Sequence, residues 1–152
     1  LQGTRRTWKS TPLRGHNLIS IYIAAYLRLA LPTLANEIYK DFITGEKQSY
    51  ICVIDNGFID QLTLKRRDYS VQVLVAANTD QAAKEKAYKI YEILSEKYNF
   101  YFDTPIGTTN DPLYIQSLRC LQAPQPIGRI GSIYQYTINY ELSGGNFTWQ
   151  QV

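Results

Sequence analysis

The polarity pattern of the chain changes period once, between residues 67 and 98. Tyr69, Val71, Val73 and Val75 alternate with Ser70, Gln72 and Leu74. A period of two carried by β-branched and aromatic residues predicts a strand with one buried face. Asn78, Thr79 and Asp80 interrupt it and supply oxygens suited to capping a helix N-terminus. Ala83, Ala87, Ile90, Leu94 and Tyr98 then recur at helical spacing, with Lys84, Glu85, Lys89, Glu92, Glu96 and Lys97 mostly on the other side. A helix with one apolar stripe must lay it on something, and the preceding strand belongs to the obvious sheet.

The rest of the chain is read against this unit. Residues 17–31 form a first helix, with Asn17 as its cap and Pro32 as its stop. Leu18, Ile19, Ile21, Tyr22, Ile23, Tyr26, Leu27, Leu29 and Leu31 wrap around its whole circumference. One sheet covers one side of such a helix, so either the second helix or another subunit completes the cover. Ile21, Ala24, Ala25 and Arg28 are therefore candidate subunit-interface positions, with Trp8 and Leu13 of the preceding segment. Residues 33–43 fit either a short helical turn or an edge strand. Residues 50–54 read as a strand, and Asp55-Asn56-Gly57 as a type I′ hairpin turn. Residues 58–64 continue as its second strand, with Leu62 and Leu64 alternating. Residues 99–112 form a long connection of the kind often functional or interfacial. Residues 113–122 are the next strand, and 123–131, with two prolines and two glycines, a rigid connection. In the last strand, 133–142, Tyr134, Tyr136, Ile138, Tyr140 and Leu142 share one face.

The order α-β-β-α-β-β with hairpin connections predicts an α+β fold, a mostly antiparallel sheet of about four or more strands flanked by two helices. Residues 1–15 make a basic N-terminal arm, 16–142 a single domain and 143–152 a C-terminal tail. The 152 residues suffice for one core. No Met occurs, which implies that the natural start lies before residue 1. The first 15 residues are polar and basic, unlike a secretory signal. The apolar stretch 18–31 is too short to span a membrane and contains Ser20 and Arg28. Thirteen tyrosines suit strand faces and subunit interfaces alike.

A net charge of +3 is too small to announce a nucleic-acid binder. The uneven part is local: Arg5, Arg6, Lys9 and Arg14 in the arm, and the run Lys65-Arg66-Arg67. That run is either a solvated corner between strands, partly neutralised by Asp68, or an edge facing phosphate or a partner. Cys52 and Cys120 lie in apolar, strand-like segments and read as reduced hydrophobes, with a single disulfide as the alternative.

Catalytic chemistry finds no purchase. His16 is the only histidine, without the Cys or His neighbours of a zinc site or a nucleophile elbow. Gly128-Arg129-Ile130-Gly131-Ser132 lacks the lysine of a phosphate loop and precedes a strand. Asp55, Asp60, Asp103 and Asp111 sit at turn positions without the spacing of paired carboxylates or a calcium loop. The expectation is a non-enzyme with no catalytic residues, no metal and no cofactor.

The order of elements resembles the tail terminator, or tail-to-head joining, proteins of long-tailed bacteriophages, also known as minor capsid or tail-completion proteins. The likeness runs over residues 16–142. It rests on the apolar first helix ending near Pro32, on Ser49-Tyr50-Ile51-Cys52-Val53-Ile54, and on Asp68-Tyr69-Ser70-Val71-Gln72-Val73-Leu74-Val75. The helix with Ala83, Ala87, Ile90, Tyr91 and Leu94, and Ala123-Pro124-Gln125-Pro126 before the Tyr-rich last strand, complete it. The resemblance implies a structural virion protein forming a homo-oligomeric, hexameric ring. Such a ring caps the tail tube at the tail–neck junction of a virion assembled in the host cytoplasm. Its implied partners are the tail tube protein and a neck or head-completion protein, with transient, non-specific contact to DNA passing through and no membrane. The arm and the tail lie outside the likeness. A small α+β nucleic-acid-binding module, another neck or head-completion protein, and a small enzyme with an unrecognised site are the alternatives. Salt-dependent binding of free DNA, oligomerisation without DNA, and a pocket with perturbed ionisable groups distinguish them.

Overall fold

The computed structural model describes residues 6–10, 18–43, 45, 47–61, 63, 66–102, 113–144 and 147–151, with backbone alone at 6–10, 18 and 147–151. In chain order the elements are β1 (Arg6–Ser10), α1 (Leu18–Ala30), a 3-10 turn (Pro32–Glu37), β2 (Ile38–Lys40), β3 (Tyr50–Gln61) and β4 (Arg66–Ala77). There follow α2 (Asp80–Ile93), β5 (Lys97–Phe102), β6 (Leu113–Cys120), β7 (Gln125–Ile130), β8 (Ile133–Gly144) and β9 (Phe147–Gln151).

The unit around residues 67–98 forms as its pattern predicts up to residue 93. Along β4, Arg67, Tyr69, Val71, Val73 and Val75 are buried on one face. Thr79 then caps α2, its hydroxyl accepting the Ala82 amide at 3.1 Å, which satisfies one of the free N–H groups of the first turn. Ala83, Ala87 and Ile90 turn inward, and Leu94 closes the helix with its amide on the Ile90 carbonyl at 2.8 Å. Helix α1 ends where the Leu31 amide reaches the Leu27 carbonyl and Pro32 starts the 3-10 turn.

Seven strands form one sheet in the order β2-β3-β4-β8-β6-β5, with β7 also on β8. β8 is the hub. One edge pairs with β4 over its length, from Tyr134 opposite Ala77 to Gly144 opposite Arg67. Its other edge is divided end to end: β7 takes the half from Ile133 to Thr137, and β6 the half from Tyr140 to Gly144. β1 and β9 make a separate antiparallel ribbon in which Trp8 is in register with Trp149. The main core joins α1 (Ile19, Ile23, Leu27) and α2 (Ala87, Ile90) to β4 and β8 (Val73, Val75, Ile138, Leu142). Both helices therefore pack on one face. The opposite face carries a small cluster around Tyr50, Cys52 and Ala76, and a hydrogen bond from Gln72 Nε2 to Thr137 Oγ1 at 2.8 Å.

This corrects the expected α+β fold. The chain is mostly β, and its sheet is mixed, because β2 runs parallel to β3. No pair of helices flanks an antiparallel sheet. Within the ambiguous 33–43 both alternatives occur, a 3-10 turn and then the edge strand β2. Two strands of this sheet lie in segments read otherwise. β5 begins at Lys97, inside the extrapolated helix, so Tyr98 belongs to a strand. β7 occupies the connection 123–131; all six of its residues are exposed, and the edge of β8 alone makes it a strand. Asp55-Asn56-Gly57 is no hairpin turn either. β3 runs through it as a bulge, with three steps from Asp55 to Phe58 opposite two from Val71 to Tyr69. Gly57, at φ 101°, takes the left-handed backbone, and its amide donates to Asp55 Oδ1 at 2.8 Å. His16, Asn17, Leu62, Leu64 and residues 103–112 of the long connection, with Asp103 and Asp111, lie outside the described residues. So do residues 1–5 and 11–15 of the arm.

One core residue is polar without compensation. The Tyr140 hydroxyl is fully buried and has no hydrogen-bond partner among the described residues, and burial pushes its ionisation up. Tyr140→Phe removes the stranded hydroxyl and keeps the ring. Denaturant unfolding is expected to show unchanged stability or a gain of up to about 1 kcal/mol. A loss beyond about 1 kcal/mol would reveal a bond to that hydroxyl.

Candidate functional site

Two surfaces collect the features that ordinary packing leaves unused. The first is the end of the sheet where β3 and β4 approach their loop. Beyond the bulge, β3 presents Phe58 and Ile59 to solvent, Ile59 at 65% exposure. A cleft of about 400 Å³ opens beside them, lined among others by Phe58, Ile59, Arg66, Asp68, Arg119 and Glu141. Arg66 Nε lies 3.1 Å from Asp68 Oδ1, but out of line for a hydrogen bond. Asp68 Oδ1 also accepts from the Ser143 hydroxyl at 2.8 Å. Arg119 and Glu141 pair at 3.2 Å on the open surface. The cleft thus holds equal numbers of these opposite charges, each with a partner.

The basic run does not form a patch of three free cations. Arg67 is 7% exposed and points inward along the buried face of β4. Its guanidinium grips Asp60 through two bonds, at 2.6 and 3.1 Å, and lies 3.9 Å over the Phe58 ring. Burial lowers the Arg67 pKa, but the bond to Asp60 and contacts with Tyr69 outweigh it, so the net shift is upward. Arg67 fastens the far half of β3 to β4. Arg66 is half-exposed, and Lys65 lies outside the described residues.

The second surface is the outer side of α1. Ile19, Ser20, Ile23, Ala24 and Leu27 face the core. Ile21, Ala25, Arg28 and Leu29 follow at helical spacing on the other side: the first three half-buried, Leu29 69% exposed. Arg28 is tied down there, Nη2 donating to the Ile38 carbonyl at 2.8 Å. Of the residues put forward as a subunit interface, Ile21, Ala25 and Arg28 keep exposure and share this stripe. Ala24 is sealed inside the chain's own core. Trp8 is placed by its backbone in the β1–β9 ribbon, and Leu13 lies outside the described residues. Sequence reasoning missed Phe58, Ile59, Arg119 and Glu141. Two adjacent exposed apolar residues following Gly57 were the available signal, obscured by reading Gly57 as a turn.

A third cluster is structural. Glu37 Oε1 accepts from Lys86 Nζ at 3.0 Å and from the Ser49 hydroxyl, and Lys86 also reaches Ser49. This ties α2 to the 3-10 turn and to the approach to β3. Burial raises the Glu37 pKa, but the bonds from Ser49 and Lys86 outweigh it and hold the carboxyl below its ordinary value. A depressed pKa contributes stability above the unfolded-state value and loses it as pH falls through the folded one. Glu37→Gln is therefore expected to cost about 0.5–1.5 kcal/mol at neutral pH. That deficit should fade once pH drops below the usual glutamate range. A deficit of constant size from pH 7 down to about 3 would show that the carboxylate makes no such bonds.

No protein-family model matches the chain, and no curated protein matches it in sequence. Among solved structures a match exists. The chain folds like a protein of the virion of a native gene transfer agent particle. The two superpose with a TM-score of 0.57 over 84% of this chain and 96% of the other. Their sequences are 11% identical, so the likeness is one of fold. It spans nearly the whole of that virion chain, so the architecture is shared as a unit. No helix among the described residues is long and apolar enough to cross a membrane.

Proposed function

We propose that the chain is a structural protein of a phage-like virion. The observation that carries this is the fold shared with the gene transfer agent chain across most of both proteins. Within that class we read it as a tail terminator: a ring that closes the tail tube and joins it to the neck, with DNA passing through the hole. This finer role draws on the resemblance of the segments within residues 16–142 to that family, from which the sixfold ring number also comes. The outer stripe of α1 and the exposed end of β3 supply apolar surface of the kind that association covers. On this reading the chain has no catalytic role and no cofactor, and its partners are copies of itself, the tube protein and a neck protein.

The nucleic-acid module is the weaker reading, because Arg67 is spent on Asp60 and Phe58. Non-specific contact in a lumen calls for weak phosphate binding, since tight binding hinders DNA transit. Poor affinity for free duplex DNA is expected in a titration at physiological salt. Nanomolar, sequence-specific binding would return the module reading to favour. Gold-labelled antibody on intact particles tests the role: label between head and tail supports a terminator. Label elsewhere on the head or neck favours another completion protein, and a chain absent from particles refutes the virion reading.

A further inference from the structure

The two ends of the sheet differ from its other open edge. β2 covers β3 only from Ile51 to Val53. Just beyond, Asp41 takes over: its amide donates to the Val53 carbonyl at 2.7 Å, and its Oδ1 accepts the Asp55 amide at 3.2 Å. Gly57 is satisfied in turn by Asp55 Oδ1. After Gly57 this capping stops. Residues 58–61 are hydrogen-bonded to β4 on one side, and no described strand lies on the other. At the opposite end of the sheet, β5 pairs with β6 and with no further described strand. It too carries exposed rings, Tyr98 at 60% and Tyr101 at 55%.

An open edge is a row of unmatched N–H and C=O groups, and proteins blunt edges they do not use. β7 is blunted: it contains Pro126, which has no N–H, a bulge before Gly128, and Arg129. Neither β5 nor residues 58–61 contain a proline, and β5 keeps one register against β6 although Asn99, at φ 49°, takes the left-handed backbone. Charge separates the two edges. Residues 54–61 hold two aspartates, of which Asp60 is paired with Arg67 and Asp55 faces no described cation, whereas β5 opens with Lys97 and contains no acid.

We infer that residues 58–61 of one copy pair with the outer edge of β5 of a second copy, so that the sheet continues from subunit to subunit. Strand addition supplies a partner to two edges that have no described strand beside them, places Phe58 and Ile59 against Tyr98 and Tyr101, and brings Lys97 toward Asp55. The two edges differ, so the contact is head-to-tail: each copy gives one edge and takes the other, the arrangement that closes into a ring. The inference rests on the ring reading and names the contact that builds it.

Engineered disulfides test it. In a Cys120→Ser background, Ile59→Cys and Tyr101→Cys are made singly and together; Cys52 is buried. Under mild oxidation, mixing the two single variants is expected to give a covalent dimer at least tenfold above either alone. The double variant should give a ladder ending at the ring size. Retained melting temperatures of the reduced variants establish that they fold. Rings that assemble without these cross-links overturn the edge pairing and leave the ring reading standing. A chain that stays monomeric at high concentration overturns both.

Discussion

Ala24→Glu is expected to abolish folding, while Ala25→Glu, one residue on, folds normally and fails in assembly. Ala24 has 0% of its surface exposed and lies in the main core with Ile23, Leu27, Ile51 and Val53. A glutamate there must bury a carboxylate without a partner and force four further heavy atoms into packed space. The first effect alone costs several kcal/mol and the second about 1–3, against a total stability of about 5–15 kcal/mol for an ordinary domain. Ala25 lies on the outer stripe with Ile21 and Leu29 and is half-exposed. A charge at Ala25 should leave monomer stability within about 0.5 kcal/mol and act on whatever covers the stripe. Circular dichroism and sedimentation of the two variants separate these outcomes. A folded Ala24→Glu protein would place α1 wrongly on the sheet; unimpaired assembly of Ala25→Glu would remove the stripe from the subunit contact.

Leu94→Ala should be the most damaging simple truncation. Leu94 is fully buried at the C-cap of α2, in the cluster that joins that helix to β4 and β8. Removing its side chain leaves a cavity that a rigid helix end and a sheet cannot close, a loss of about 2–5 kcal/mol. Val73→Ala, at the centre of β4 between Val53 and Ile138, removes fewer atoms and should cost about 1–3 kcal/mol. Urea denaturation checks both. An untouched midpoint in both variants would contradict the packing of α2 on the sheet.

These two expectations differ in how much of them the sequence alone reveals. β4 and α2 announce themselves because the apolar period switches from two to about 3.6 at Asn78, and the apolar residues the pattern picks out are buried except Tyr98, while buried Arg67 escapes it. β8 is legible for the same reason. Helix α1 is legible as a helix but not in its orientation. Apolar residues surround it, and its polar residues mislead: Ser20 is buried, donating to Asp41 Oδ2 at 3.0 Å, and Arg28 is held by a backbone carbonyl. Hence Ala24 and Ala25 are equivalent in sequence and opposite in structure. β2 is legible only as one of two alternatives and β7 not at all, because neighbours, not their own residues, make them strands; three residues and a Pro-Gly segment have no period of their own. Asn56-Gly57 was misread because a turn and a bulge need the same left-handed backbone, and only the register with β4 tells them apart. At the candidate site, the basic run is plain in sequence, whereas the capture of Arg67 by Asp60, seven positions away, depends on β3 and β4 lying side by side.

The mass of the purified chain in solution bears most directly on the proposal that it works as a closed ring. Native mass spectrometry at increasing concentration is expected to show one discrete assembly of fixed copy number, six on the family resemblance, formed without DNA or tail proteins. A compact monomer at the highest concentrations reached, or an open series of ever larger species with no preferred size, would contradict it.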